Sequence, residues 1–269
     1  MNKKDKIQAV IFDWAGTTVD YGCLAPVKAF IEAFKLKGIE LTDKEVRGPM
    51  GLNKIDHIKA ICELERVKKL WVERFGAQPQ QNDILDIYAD FELRLLKILG
   101  KYSEVISGVP EVVEKLREAG IKIGSSTGYT AEMAEIIQSE AGKKGYQPDS
   151  VLTAEDVPQG RPAPYMCYQN AINLEVYPLD RIVKVGDTVS DIKAGVNAGV
   201  WSVGVIEGSS ELGLSKEEVK EFDTKLLKTK KDKVRKRYQQ AGADYVIDKI
   251  VEINDVIEEI NQQLSEEAM

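Results

Sequence analysis

The chain has 269 residues, 43% of them hydrophobic, enough for one large core plus a smaller second domain. Its 37 basic and 44 acidic residues give a net charge of −7, which argues against nucleic acid or an anionic membrane as partner and leaves any anion to be captured by local cations, amides or a metal. Cys23, Cys62 and Cys167 are odd in number and lack CxxC spacing, so neither a disulfide framework nor a zinc site is indicated, and no apolar stretch is long enough to span a membrane.

Lys3, Lys4 and Lys6 precede the first apolar run, but Asp13 interrupts it too early for a signal peptide, and a reduced, cytoplasmic protein is expected. Ala9-Val-Ile-Phe12 reads as a strand buried on both faces. It ends on Asp13 and the turn Ala15-Gly16-Thr17-Thr18, where a glycine lets the backbone approach an anion. Ligands bind at the carboxyl ends of strands in open α/β sheets, although aspartate is also an ordinary turn residue.

From residue 21 to about Gly100 the pattern is helical. Val27, Phe30, Ile31 and Phe34 share one face, and Gly38 stops that helix. Thr42 and Glu45 have capping-box spacing; Gly48-Pro49-Met50-Gly51 then breaks the chain before a helix carrying Ile55, Ile58 and Cys62. Val67, Leu70, Trp71 and Phe75 predict another helix, and Asn82 is the expected cap of a long one through Ile84, Tyr88, Phe91, Leu95 and Ile98. From Val105 onward helices alternate with apolar strands at 121–124, 150–153, 182–186 and 200–205. The charge-rich segment 214–240 is expected to be a solvated helical face, followed by a last strand near 243–247 and a last helix over 250–265. The expected fold is α/β, a doubly wound, mainly parallel Rossmann-like sheet with an all-helical cap inserted in it. Residues 1–20 and 101–269 form the core and 21–100 the cap.

Four motifs fall at strand ends: Asp13; Ser126-Thr127-Gly128; Gly160-Arg161-Pro162; and Gly186-Asp187-Thr-Val-Ser-Asp191. Acid, hydroxyl, cation and acid pair in this order resemble the motifs of the haloacid dehalogenase superfamily. Asp13 and Asp187 at neighbouring strand ends suit Mg²⁺, a hard cation that prefers oxygen ligands. Asp191 is either a third contact or a residue that holds the ligating groups or Arg161 in place. Thr127 and the Gly128 amide suit phosphoryl oxygens, and Arg161 their charge. A carboxylate nucleophile would form an aspartyl-phosphate.

Ala15 stands where the superfamily's phosphate-ester hydrolases usually have an aspartic acid that protonates the leaving alkoxide. A carbon leaving group removes that need if a lysine forms an imine and takes up the electrons. Lys54 is the candidate, and His57, the sole histidine, lies one turn further along the same helical face. Out of context, though, most helix lysines are solvated charges and most lone histidines are structural.

Asp13-Trp-Ala-Gly-Thr-Thr-Val-Asp20, Pro49-Met-Gly-Leu-Asn-Lys-Ile-Asp-His57, Ser126-Thr-Gly-Tyr-Thr130, Gly160-Arg-Pro162 and Val185-Gly-Asp-Thr-Val-Ser-Asp191 together resemble the phosphonoacetaldehyde hydrolase (phosphonatase) family. The resemblance spans nearly the whole chain. It implies a Mg²⁺-dependent homodimer that hydrolyses a small-molecule phosphonate, phosphonoacetaldehyde, to acetaldehyde and phosphate. It further implies Asp13 as nucleophile and metal ligand and Lys54 as the Schiff-base lysine. The Ala15 carbonyl and Asp187 join the metal shell, and Thr127 and Arg161 hold the phosphoryl group. Met50, Cys23, His57 and Tyr129 match residues near the site, with Thr17 and Asp191 in support. Two rival readings are a phosphate-ester hydrolase or phosphomutase, opposed by Ala15, and a non-catalytic phospho-ligand sensor, opposed by the presence of Asp13.

Overall fold

Ala9–Phe12 forms β1, with every residue buried, as a continuous apolar run requires. The computed structural model describes residues 6–267; Lys3 and Lys4, and the outermost residues of the two core ranges, lie outside the described residues. Strands β2 (Lys122–Thr127), β3 (Ser150–Thr153), β4 (Ile182–Gly186), β5 (Trp201–Val205) and β6 (Tyr245–Ile247) complete one sheet in the order β3-β2-β1-β4-β5-β6. Every pairing in it is parallel. The order reverses at β1, so the crevice outside the carboxyl ends of β1 and β4 is the topological switch point.

After β1 the chain runs through five helices before it returns to the core: α1 (Leu24–Leu36), α2 (Asp43–Arg47), α3 (Lys54–Cys62), α4 (Glu65–Phe75) and α5 (Gln81–Leu99). They are held by aromatic stacking, since the Phe30 ring lies 4.1 Å from Phe91 and 4.1 Å from His57, joining α1, α5 and α3. The Thr42–Glu45 capping box forms: Glu45 N donates to Thr42 Oγ1 at 3.3 Å and Thr42 N to Glu45 Oε2 at 2.8 Å. Asn82 is not a cap. The cap is Gln80, two residues earlier, and helix α5 begins at Gln81, because the Asp83 carboxylate reaches back 2.7 Å to the Gln80 N–H and satisfies the first turn from there.

The remaining helices, α6 (Val109–Glu118), α7 (Ala131–Gly142), α8 (Tyr165–Asn173), α9 (Val189–Ala198), α10 (Lys216–Glu221), α11 (Thr224–Ala241) and α12 (Ile253–Glu267), cover both faces of the sheet. Val10, Phe12, Val183 and Val185 face α6, α7 and α12 in a cluster that continues without a polar break into α1–α5. Ala9, Ile11 and Ile182 face Cys167 and Ala171 of α8. The charge-rich segment divides at the Asp223 cap into α10 and α11, and α11 is not wholly a solvated face, because Val234 and Tyr238 are buried. Among the described residues no helix is long and apolar enough to cross a membrane.

Candidate active site

Strand register brings the motifs together. Phe12 pairs with Ser125 on one side and Val185 on the other, so the chain leaves the sheet at Asp13 beside Ser126 and Gly186. Thr127 and Asp187 come immediately after them at the same edge. The Asp13 N–H donates to the Val185 carbonyl at 2.9 Å, fixing the carboxylate over β4. In the turn after it Gly16 has φ +86°, and a Cβ there would sit 2.4 Å from Asp187 Oδ2. Only glycine lets the two loops approach so closely.

Asp13, Ala15, Thr127, Gly128, Arg161 and Asp187 line a tight chamber of about 30 Å³. The helical segment closes it from the other side with Cys23, Met50, Lys54 and, from the core loop, Tyr129. Two glycines allow the closure. A Cβ on Gly51 would meet Thr188 Oγ1 at 2.5 Å, and one on Gly128 would lie 3.3 Å from the Leu52 carbonyl oxygen. A wider cleft of about 400 Å³ shares Lys54, Gly128 and Tyr129 with the chamber and leads out past Asn53, Asp56 and Glu155.

The chamber is crowded with buried charge. Arg161 NH1 donates to Asp13 Oδ1 at 2.7 Å and to Asp191 Oδ1. Asp187 Oδ2 accepts from the Ser210 N–H at 2.7 Å and from the Cys23 thiol at 3.6 Å. Burial pushes the Asp13 carboxyl above its ordinary range despite the opposing pull of Arg161. Burial, then the charge of Asp13, raises Asp187 well above it. Asp191 goes the other way: against its burial, Arg161 and Lys184 hold it down to about 2.

Carboxylate oxygens of Asp13, Asp187 and Asp191 lie within 4.8 Å of one another, and among the described residues the buried Asp187 Oδ1 has no hydrogen-bond partner. An oxygen-only set with an unsatisfied anionic atom fits a hard divalent cation. Asp191 is nevertheless occupied elsewhere, because its two oxygens already accept from Arg161, Lys184 and the Thr188 hydroxyl.

Lys54 opens α3 just after its Asn53 cap and is only 8% exposed. Its ammonium lies 4.8 Å from the centre of the Tyr129 ring. Burial, then the charge of Arg161, lowers its pKa to about 8. His57 does not line the chamber. It is fully buried behind Lys54, with Nε2 2.7 Å from the Val46 carbonyl oxygen, so Nε2 carries the proton and donates. Nδ1 is left with a lone pair and, among the described residues, no hydrogen-bond partner. Burial, then the Lys54 charge, lowers the His57 pKa to about 3, so the ring is neutral near pH 7. Thr17 is likewise buried outside the lining, its hydroxyl without a hydrogen-bond partner among the described residues.

Three further contributors are absent from the sequence motifs. Lys184 sits inside an apolar strand, and that anomaly is the one local signal among the three. Tyr238 of α11 donates its hydroxyl to the Asp187 carbonyl, and Ser210 supplies a backbone N–H to its carboxylate. The last two come from 51 and 23 residues away, and no local spacing marks them.

Comparison with known proteins gives the same family. The haloacid dehalogenase-like hydrolase family matches residues 7–199. A phosphonoacetaldehyde hydrolase of Bacillus cytotoxicus is 54% identical over 258 residues, 96% of this chain and 98% of that protein. A bifunctional phosphonoacetaldehyde hydrolase/aminoethylphosphonate transaminase of Clostridioides difficile is 52% identical over 259 residues, and the chain spans 41% of its length. The crystal structure of a phosphonoacetaldehyde hydrolase-like protein from Oleispira antarctica superposes with a TM-score of 0.94 at 38% identity, covering 97% of this chain and 94% of that one. The chain belongs to the phosphonoacetaldehyde hydrolase family of the haloacid dehalogenase-like hydrolases.

Proposed function

We propose that the chain hydrolyses the C–P bond of phosphonoacetaldehyde to acetaldehyde and phosphate, as a cytoplasmic homodimer in which residues 21–100 act as a mobile cap. One observation carries the reading: a buried lysine with a lowered pKa and a strand-end aspartate line the same chamber, and the residue at position 15 is alanine. That combination suits a carbon leaving group and has no use for the acid an ester hydrolase needs.

In this reading the neutral Lys54 amine attacks the aldehyde, and water leaves to give an iminium. Arg161, Thr127 and the Gly128 amide hold the phosphonate oxygens while Asp13 attacks phosphorus. The C–P electron pair passes into the iminium, giving an enamine on Lys54 and a phosphoryl group on Asp13. Protonation of the enamine carbon and hydrolysis of both adducts release acetaldehyde and phosphate. Asp13, Asp187 and the Ala15 carbonyl would hold Mg²⁺, which supplies positive charge against the phosphoryl oxygens when bound. Met50, Cys23 and Tyr129 exclude water from the imine. Burial and then Asp187 raise the Cys23 thiol well above its ordinary pKa, so it stays protonated and is no competing nucleophile.

The test is direct: acetaldehyde and phosphate appear in equal amounts from phosphonoacetaldehyde, and a generic aryl phosphate is turned over poorly. Chelation is expected to abolish turnover and added Mg²⁺ to restore it; activity that survives exhaustive chelation removes the metal from this scheme.

His57 is expected to move protons through its free Nδ1 during imine formation. His57→Ala is expected to slow turnover by about 10²–10⁴-fold, the usual range for general acid–base groups. It also deletes the ring stacked on Phe30, so the melting temperature falls as well. A folded variant with normal turnover assigns His57 to packing alone.

A further inference from the structure

A lysine in the middle of a parallel sheet needs a reason. Lys184 lies on β4 between β1 and β5, and its side chain is 1% exposed. Its ammonium donates to Asp191 Oδ1 at 2.7 Å and to the Val185 carbonyl at 3.0 Å. The helix above makes room for the stem: a Cβ on Gly195 of α9 would lie 3.3 Å from Lys184 Cβ. The oxygen that accepts from Lys184 also accepts from Arg161 NH1, and the same NH1 reaches Asp13 Oδ1 at 2.7 Å. Lys184, Asp191, Arg161 and Asp13 therefore form one continuous buried chain of alternating charge.

Remove Lys184 and the chain becomes one cation between two buried carboxylates. Asp191 would then have only Arg161 for its charge, while Asp13 shares its chamber with a second cation, Lys54. The guanidinium would be drawn back toward α9, away from the nucleophile and from any anion beside it. We propose that Lys184 is a positioning residue: by answering the charge of Asp191 from behind, it holds the Arg161 guanidinium forward against Asp13, where the phosphoryl group must lie. The inference rests on the proposed C–P hydrolysis only for the identity of the anion.

The experiment measures binding of inorganic phosphate to the Mg²⁺-supplemented protein by calorimetry, alongside kcat and KM, well below the melting temperature. Lys184→Met keeps the length of the stem without the charge. It is expected to weaken phosphate binding by about tenfold, the scale of one charge-assisted hydrogen bond. A misplaced guanidinium is expected to lower kcat by about 10²-fold. Lys184→Gln keeps a donor toward Asp191 and serves where the methionine variant does not fold, with a loss in the same direction. A folded variant with phosphate affinity and kcat unchanged overturns the proposal, whatever its melting temperature, since Lys184 would then be a structural counter-ion only. Loss of folding in both variants overturns it as well. Phosphate affinity is read without turnover, so a wild type that releases no acetaldehyde sinks the proposed hydrolysis and leaves this test intact.

Discussion

Lys54→Arg is expected to abolish release of acetaldehyde, by at least about 10³-fold, the scale of losing a covalent step. Arginine keeps the positive charge above Tyr129 but has no neutral amine with which to form an imine. The wild-type lysine is set up differently. An unperturbed lysine titrates near 10.5, whereas burial and the neighbouring Arg161 bring Lys54 to about 8. Near pH 7 about a tenth of it is then the neutral amine, against well under a hundredth for an exposed lysine. This sets the sign of the pH dependence: protonation blocks attack, so imine formation rises with pH and levels off above about 8. Borohydride added with phosphonoacetaldehyde is expected to inactivate the enzyme, with trapping rates that track this curve and the reduced adduct on Lys54. An adduct on another lysine, or trapping that keeps rising toward pH 10.5, removes Lys54 from the role.

Asp13→Asn is expected to remove phosphate release altogether, with a loss on the order of 10⁴–10⁶-fold, as for other nucleophiles. The imine is expected to form all the same, so borohydride still labels Lys54, and this separates the two halves of the reaction. Stability is expected to hold or to rise. Burial raises the Asp13 pKa above 3.8 despite Arg161, and a carboxyl raised on folding weakens the fold progressively as pH climbs past its unfolded value. At neutral pH the amide therefore removes a cost, although Arg161 NH1 loses a charged acceptor at 2.7 Å. The melting temperature and a phosphate assay on the same preparation decide it. Substantial turnover by this variant, free of wild-type contamination, rules out the aspartyl-phosphate.

Both expectations depend on a chamber that is nearly closed. At about 30 Å³ it has room on the scale of a water molecule, and in the proposed scheme substrate is admitted by movement of the segment that carries Lys54. Among the contacts that would have to part are Gly51 against the Thr188 side chain and the Leu52 carbonyl over Gly128. The cleft past Asn53 and Glu155 adjoins Lys54 on that side.

Local chemistry is enough to find the sheet and its functional edge. A short apolar run such as Ala9–Phe12, bounded by a turn, reads as a strand buried on both faces, as do Ile182–Val185 despite Lys184, and the residues after such a strand lie at its carboxyl end. Asp13, Thr127 and Asp187 are legible for that reason, and Ala15 because its neighbours set an expectation that it breaks. Glycine stops and capping residues mark the helix limits. They fail at Asn82, because the cap is Gln80, two residues earlier, whose N–H the Asp83 carboxylate reaches back to satisfy.

The groups standing behind the site are a matter of long-range packing. The role of a lysine in a strand depends on what covers that strand, and Lys184 becomes part of the site only because α9 lays Asp191 across it. Tyr238 sits in a charge-rich helix, yet it slots over Gly204, where a Cβ would be 2.4 Å from its ring, and reaches the Asp187 carbonyl. Burial shifts a pKa only when the chain closes over the group. Local sequence thus places the reactive groups at the strand ends. Which of them are charged, and what each is held against, is set by contacts between segments far apart in the chain, whose packing no local pattern encodes.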